Sequence, residues 1–152
     1  MSPEKEELFR LQELGEYVFH GTSEELALLE PRQAIDEKTG ADGPPAVFAS
    51  DRVDYAIFMA IVNAQNCKGS AYSRAGGTTT PNGSVVLRFG MTKETANNLT
   101  DTAQGWVYVF PRSKFTQRDS SAEYTATVPV VPLQKIRVSK ADLPENIEID
   151  EG

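Results

Sequence analysis

Histidine and cysteine are almost absent from this chain: one of each, His20 and Cys67, in 152 residues. A lone cysteine excludes an internal disulfide and any cysteine-built zinc site, and with no histidine partner Cys67 reads as a buried or incidental thiol rather than a nucleophile. Long apolar runs are missing too. No stretch approaches the roughly 20 residues needed to cross a bilayer. The N-terminus is acidic and amphipathic rather than signal-like, so a cytoplasmic address and no membrane partner are expected. Cations are in deficit, 15 Lys and Arg against 22 Asp and Glu, and the net charge of −7 disfavours nonspecific adhesion to a phosphate backbone or an anionic membrane. A small ligand in a local pocket is compatible with all of these absences.

What is present suffices for a core. With 39% hydrophobic and 24% charged residues and no internal repeat, the sequence reads as one globular domain. A chain of this length buries about two thirds of its unfolded surface. Ser2 and Pro3 supply an N-cap and first helical position, and Leu8, Leu11 and Leu14 fall on one side before Gly15, which predicts an N-terminal docking helix over 1–15. Residues 17–19 are β-prone. Leu26 and Leu29 stand at helical spacing ahead of Pro31, predicting a short helix over 24–29, and 35–45 is charged and rich in turn formers, predicting a surface loop.

A second strand over 45–49 leads through Ser50 or Asp51, as N-cap, into the longest helical pattern, about 52–65. Val53, Ala56, Ile57, Ala60, Ile61 and Ala64 form one apolar stripe, and Tyr55, Phe58 and Val62 recur on the opposite side. A helix apolar on two sides is either sandwiched or lines a pocket, and both alternatives stand at this point. Residues 68–83, rich in glycine, serine and threonine, predict a mobile loop. Strands follow over 84–89 and 105–110, separated by a weak polar helix over 92–99. Trp106, Tyr108 and Phe110 lie on one side of the later strand and valines on the other, which requires a central position. Glu123 opens a strand by alternation with Tyr124, Pro129 and Pro132 demand an edge or bulge, 134–138 is a last strand, and 145–152 reads as a loosely held acidic tail. Five or six short strands with two or three helices and no regular βαβ alternation describe an α+β domain.

His20 is the candidate site residue with a physical rationale. It ends an apolar, β-prone run and is followed by Gly21, Thr22 and Ser23, so the imidazole sits at a strand end facing a turn, where sites are often built. Its company in the chain gives it meaning. The order of a strand followed by His20-Gly21-Thr22, a strand Phe48-Ala49-Ser50 running into a helix that carries aromatics, and Ala122-Glu123-Tyr124 opening a late strand resembles the ADP-ribosyltransferase fold of the His-Tyr-Glu type. That family includes poly- and mono-ADP-ribosyl polymerases and small bacterial rifampin-modifying transferases, and the similarity spans most of the chain. The resemblance implies a split β-sheet core with two or three flanking helices.

It further implies NAD as substrate, with His20, Gly21, Thr22, Ser50, Tyr55 and Phe58 as NAD-contacting residues and Glu123 as the catalytic carboxylate. Either Tyr55 or Phe58 would stack on nicotinamide. The expected activity is mono-ADP-ribosyl transfer or NAD cleavage, with a protein, nucleic acid, small molecule or water as acceptor and no metal. Two alternatives accompany it: an inactive nucleotide-binding or interaction module of the same fold, and an RNA 2′-phosphotransferase-like enzyme. The chemistry suits the residue types. Cleaving the N-glycosidic bond of NAD builds positive charge on the ribose, which a nearby carboxylate stabilises more in the transition state than in the ground state.

Overall fold

The computed structural model describes residues 1–31, 35–36, 40–41, 45–68, 73–118 and 122–150. Its first element, α1 (Pro3–Leu14), begins where the Ser2 hydroxyl accepts the Lys5 N–H at 3.1 Å and ends at Gly15, whose φ of 72° makes the left-handed cap that returns its N–H to Gln12. Leu8 and Leu11 are buried, whereas Leu14 is 53% exposed, so the docking face is two residues wide. Ser2 also donates to Asp142 Oδ1 at 2.5 Å, tying the start of α1 to a 3₁₀ turn, Lys140–Asp142, near the other end of the chain.

Six strands make the main sheet: β1 (Tyr17–Thr22), β4 (Val47–Ser50), β7 (Gln104–Pro111), β8 (Thr116–Gln117), β9 (Glu123–Ala126) and β10 (Gln134–Ser139), in the order β10-β7-β1-β4-β9-β8, every pair antiparallel. Its β7 lies between β10 and β1, as its two-sided apolar pattern requires. Val107 and Val109 face one core with Phe19, Leu8 and Leu11, while Tyr108 and Phe110 face a second with Val18, Val47, Ala49, Tyr124 and Ala126. A second sheet joins β5 (Ser73–Thr79), β6 (Val85–Thr92) and β11 (Glu148–Asp150), with β11 parallel to β6. The short strands β2 (Ile35–Asp36) and β3 (Gly40–Ala41) pair with each other, and α3 (Lys93–Asn98) starts at the Thr92 side-chain cap. Among the described residues the domain is α+β, with mostly antiparallel sheets and three α-helices.

Between the two sheets runs α2 (Val53–Ile61). It approaches the main sheet closely because glycines stand beneath it: a Cβ on Gly21 would lie 1.7 Å from the Ala56 carbonyl oxygen, and one on Gly105 would lie 2.2 Å from that of Ala60. Small residues one turn apart on the helix therefore sit on glycines of neighbouring strands. Asn side chains close its C-terminus early. Asn63 Nδ2 donates to Ala60 O at 2.9 Å and Asn66 Nδ2 to Ile61 O at 2.9 Å, satisfying carbonyls that a further turn would have used.

Five regions differ from the sequence reading. His20, Gly21 and Thr22 form no turn but continue β1, because Tyr108, Val107 and Trp106 of β7 pair with them. Residues 24–29 form no helix, because the Tyr108 hydroxyl accepts the Leu26 N–H at 2.6 Å and donates to Glu24 O at 2.9 Å, and Leu29 exchanges backbone hydrogen bonds with Val130. Tertiary partners satisfy that backbone instead. The expected loop over 68–83 holds β5, whose polar residues pair with β6 from Ser73↔Met91 to Thr79↔Val85. The acidic tail contributes β11, fastened where Arg74 meets Asp150 at 2.9 Å and Glu148 at 2.8 Å. The predicted surface loop over 35–45 includes the β2–β3 pair. Cys67 is fully buried. Among the described residues no helix is long and apolar enough to cross a membrane.

Candidate functional site

A cavity of about 750 Å³ opens between the main sheet, α2 and the β5–β6 hairpin, a size typical of small-molecule sites. His20, Gly21, Ser50, Tyr55 and Glu123 all line it. More than 100 residues separate the first from the last, so only the sheet order brings them together.

The cavity begins where two strands part. β1 and β4 are in register at Phe19↔Ser50, and beyond that pair the His20 ring, rather than a backbone ladder, spans the gap: Nδ1 lies 2.5 Å from Phe48 O. A carbonyl only accepts, so Nδ1 carries the hydrogen. In the neutral ring Nε2 then holds the lone pair, a tautomer fixed by the backbone. Gly21 borders the same space, although its contact with Ala56 already requires a glycine there on steric grounds. Thr22 lies beyond the cavity lining, with its hydroxyl accepting the Glu24 N–H at 3.2 Å.

Ser50, 2% exposed, stands opposite Phe19 on one side and Glu123 on the other, and its Oγ accepts the Arg52 N–H at 3.0 Å. It thus turns β4 into α2, although Arg52 rather than Ser50 or Asp51 occupies the N-cap position. One turn into the helix, Tyr55 presents its side chain to the cavity. Burial first, and the negative charge of Glu123 second, push its phenol above the usual value, so the hydroxyl stays protonated across the neutral range. Glu123 opens β9 and pairs with Arg118 at 3.4 Å, both side chains about 40% exposed. Arg118 also donates its backbone N–H to Glu123 O at 2.8 Å, so the two residues are joined through backbone and side chain alike.

Phe58 is a correction. It is completely buried and packs on Phe89, ring centroids 5.0 Å apart and tilted by 33°, inside the core between α2 and β6. Helix geometry explains the difference: three residues after Tyr55 a side chain points about 60° to one side, and four residues after it points about 40° to the other. The cavity lies on the second side, so Met59, 41% exposed, joins Tyr55 on its wall. Spacing of four from Tyr55 was the available signal for Met59. Ala75, Gly77, Val85 and Leu87 form the opposite wall and carried no such signal, because their strand pairing decides which way they face.

Further charged groups lie behind the site. Arg112 lies 4.9 Å from the Tyr124 ring and hydrogen-bonds its hydroxyl, while Arg52 Nη1 donates to Val85 O at 2.7 Å. The Oδ1 atoms of Asp51 and Asp54 are buried with no hydrogen-bond partner among the described residues. Burial raises both carboxyls above the ordinary range; Arg112 and Arg52 oppose this at Asp51, and Lys5 and Arg52 at Asp54. Among the described residues, no group of three or more His, Cys, Asp or Glu side chains could hold a metal ion.

The arrangement offers a planar aromatic surface, a protonated phenol, an imidazole of fixed tautomer and a carboxylate around one concave space. These groups suit a ligand with a flat ring and hydroxyls. No protein-family model, curated protein or solved structure matches this chain.

Proposed function

We propose that the cavity binds NAD and that the protein cleaves its nicotinamide–ribose bond, as a mono-ADP-ribosyltransferase or an NAD glycohydrolase. The observation that carries this reading is the convergence of His20, Ser50, Tyr55 and Glu123 on one cavity, in the chain order that the family resemblance requires. The flanking of α2 by a six-stranded and a three-stranded sheet is consistent with an ADP-ribosyltransferase-like split sheet. Tyr55, rather than Phe58, is the ring available to stack on nicotinamide.

Each group has a task that its environment permits. The Glu123 carboxylate stabilises the positive charge that grows on the ribose as the bond to nicotinamide breaks. In its neutral form His20 accepts from a ribose hydroxyl without adding like charge to that cation. Tyr55 stacks on the departing ring and keeps it in line. Water or an acceptor nucleophile then takes the ribosyl carbon.

Incubation with NAD is expected to release nicotinamide, and Glu123→Ala to slow the release by about 100-fold, the scale of losing one electrostatic stabiliser. A second reading, binding of the nucleotide without turnover, is favoured by the Arg118–Glu123 ion pair, which engages the carboxylate. NAD binding with no release above the Glu123→Ala level would establish that reading. Neither binding nor release would remove both.

A further inference from the structure

The main sheet carries a second feature outside the cavity. Register places Thr22, Trp106 and Arg137 in one row across β1, β7 and β10, and His20, Tyr108 and Lys135 in the next. Residues directly opposed in antiparallel strands share a face, so Trp106, Lys135 and Arg137 project together. Arg137 Cζ lies 4.9 Å and Lys135 Nζ 5.0 Å from the centroid of the Trp106 ring. Trp106 is half-buried against the second core, and beside it Tyr108 is fixed by its hydrogen bonds to Glu24 and Leu26.

In a chain of net charge −7, two cations converging on its one tryptophan is a local reversal of sign. Among the described residues, one carboxylate answers them. Glu25 pairs with Lys135 and is held below the usual carboxylate range by that contact first and by the charge of Arg137 in addition. It belongs to the irregular stretch 23–30, held there by a bridge at Leu29 and the Tyr108 bonds rather than by helix or sheet. An incoming anion would therefore exchange with the Glu25 side chain.

We propose that the Trp106–Lys135–Arg137 face is a binding site for a small phosphorylated nucleoside, with the base stacked on the Arg137 guanidinium over Trp106 and the phosphate taking the place of Glu25 at Lys135. A guanidinium already lying over an aromatic ring extends a stacking platform to a base, and an ammonium beside it forms a charge-assisted hydrogen bond to phosphate. A polymeric nucleic acid is the poorer occupant, because repulsion from the net negative charge grows with every added phosphate. This site stands independently of NAD cleavage in the cavity.

Trp106 is the sole tryptophan, so intrinsic fluorescence reports this face directly. Titration with ADP is expected to quench it saturably, and adenosine or inorganic phosphate alone to bind at least about tenfold more weakly, one charge-assisted bond or one stack being lost in each. Glu25→Gln should tighten ADP binding, and Arg137→Lys, which keeps the charge and removes the plane, should weaken it about tenfold. A purely structural role for the cluster would produce neither change. Both side chains are exposed, so the variants are expected to fold.

Tyr55→Ala should leave the ADP response intact. Its loss in that variant would place the nucleotide in the cavity and overturn the proposal. So would phosphate binding as tightly as ADP, a short oligonucleotide outcompeting it, or no response to ADP by fluorescence and calorimetry in either the wild type or Glu25→Gln. If ADP quenches while NAD yields no nicotinamide, the surface site stands and the cavity reading fails; nicotinamide release without any ADP response gives the converse.

Discussion

The space between the two sheets is filled at one end and open at the other, and the difference lies in what faces α2. At the filled end β6 presents Phe89 and Met91, which pack with Phe58, Ile57 and Ile61 into one core. At the open end β5 presents Ala75 and Gly77 opposite Tyr55 and Met59, and about 750 Å³ is left. The same helix borders both. A cavity here needs no unusual backbone; it needs small residues on one strand where its neighbour carries large ones.

Substitutions that exchange the character of the two ends test this. The largest effect is expected from Phe58→Ala, which leaves a void in the filled end and should cost about 4 kcal/mol in denaturant unfolding. Tyr55→Ala, at the cavity, should cost less than half of that, roughly 1 to 2 kcal/mol, while abolishing NAD binding in the cavity. If the two losses were equal, the open end would be part of the core. Gly21→Ala should follow Phe58→Ala closely, at about 3 kcal/mol, because its Cβ would overlap the backbone carbonyl of Ala56, and backbone yields less readily than a side chain.

Filling the open end should be gentler. A Cβ on Gly77 would meet Val85 Cγ1 at 2.8 Å and Leu87 Cδ2 at 3.4 Å, side-chain atoms that have cavity to move into. Gly77→Val is therefore expected to change stability by less than about 1 kcal/mol and to eliminate ligand binding by calorimetry. A large loss of stability with binding retained would show that Gly77 serves the hairpin and not the cavity.

Smaller still is the effect of the buried charge at the start of α2. Burial raises the folded-state pKa of Asp54, so the folded protein holds this proton more tightly than the unfolded chain. The charge therefore costs stability above the folded pKa, and the cost is relieved as pH falls through that value toward the unfolded one. Asp54→Asn should raise stability at neutral pH by roughly 0.5 kcal/mol, offset in part by the lost helix-dipole contact, and the gain should vanish on acidification. At the far edge of the second sheet, Arg74→Ala should lower stability least of all in denaturant unfolding, and less still in high salt, since its ion pairs are exposed.

Much of the architecture was legible because it rests on local signals. Ser2, Pro3 and Gly15 bound α1 by capping chemistry alone, the two-sided apolar pattern of 105–110 required the central β7, and alternation placed Glu123 on a strand. Residues 24–29 misled because leucine spacing is the same in a helix and in a segment pinned by Tyr108 and Val130. β5 and β11 were invisible: a strand of serine, threonine and glycine has little preference of its own and exists because β6 offers a ladder and Arg74 an ion pair.

The candidate site divides in the same way. The sequence by itself determined that Ser50 leads into a helix and that Tyr55 lies on that helix away from its main apolar stripe, since each follows from neighbours a few positions away; that His20 lies within a strand and not at its end was set by the pairing of β1 with β7. Tertiary structure decided which ring meets the cavity, because the choice between Phe58 and Met59 beside Tyr55 turns on where β5 and β6 lie against α2. It also decided that His20 and Glu123 share one space. No pattern along the chain encodes that meeting; it results from β1, β4 and β9 lying side by side, with β1 and β4 parting just where the imidazole of His20 bridges them.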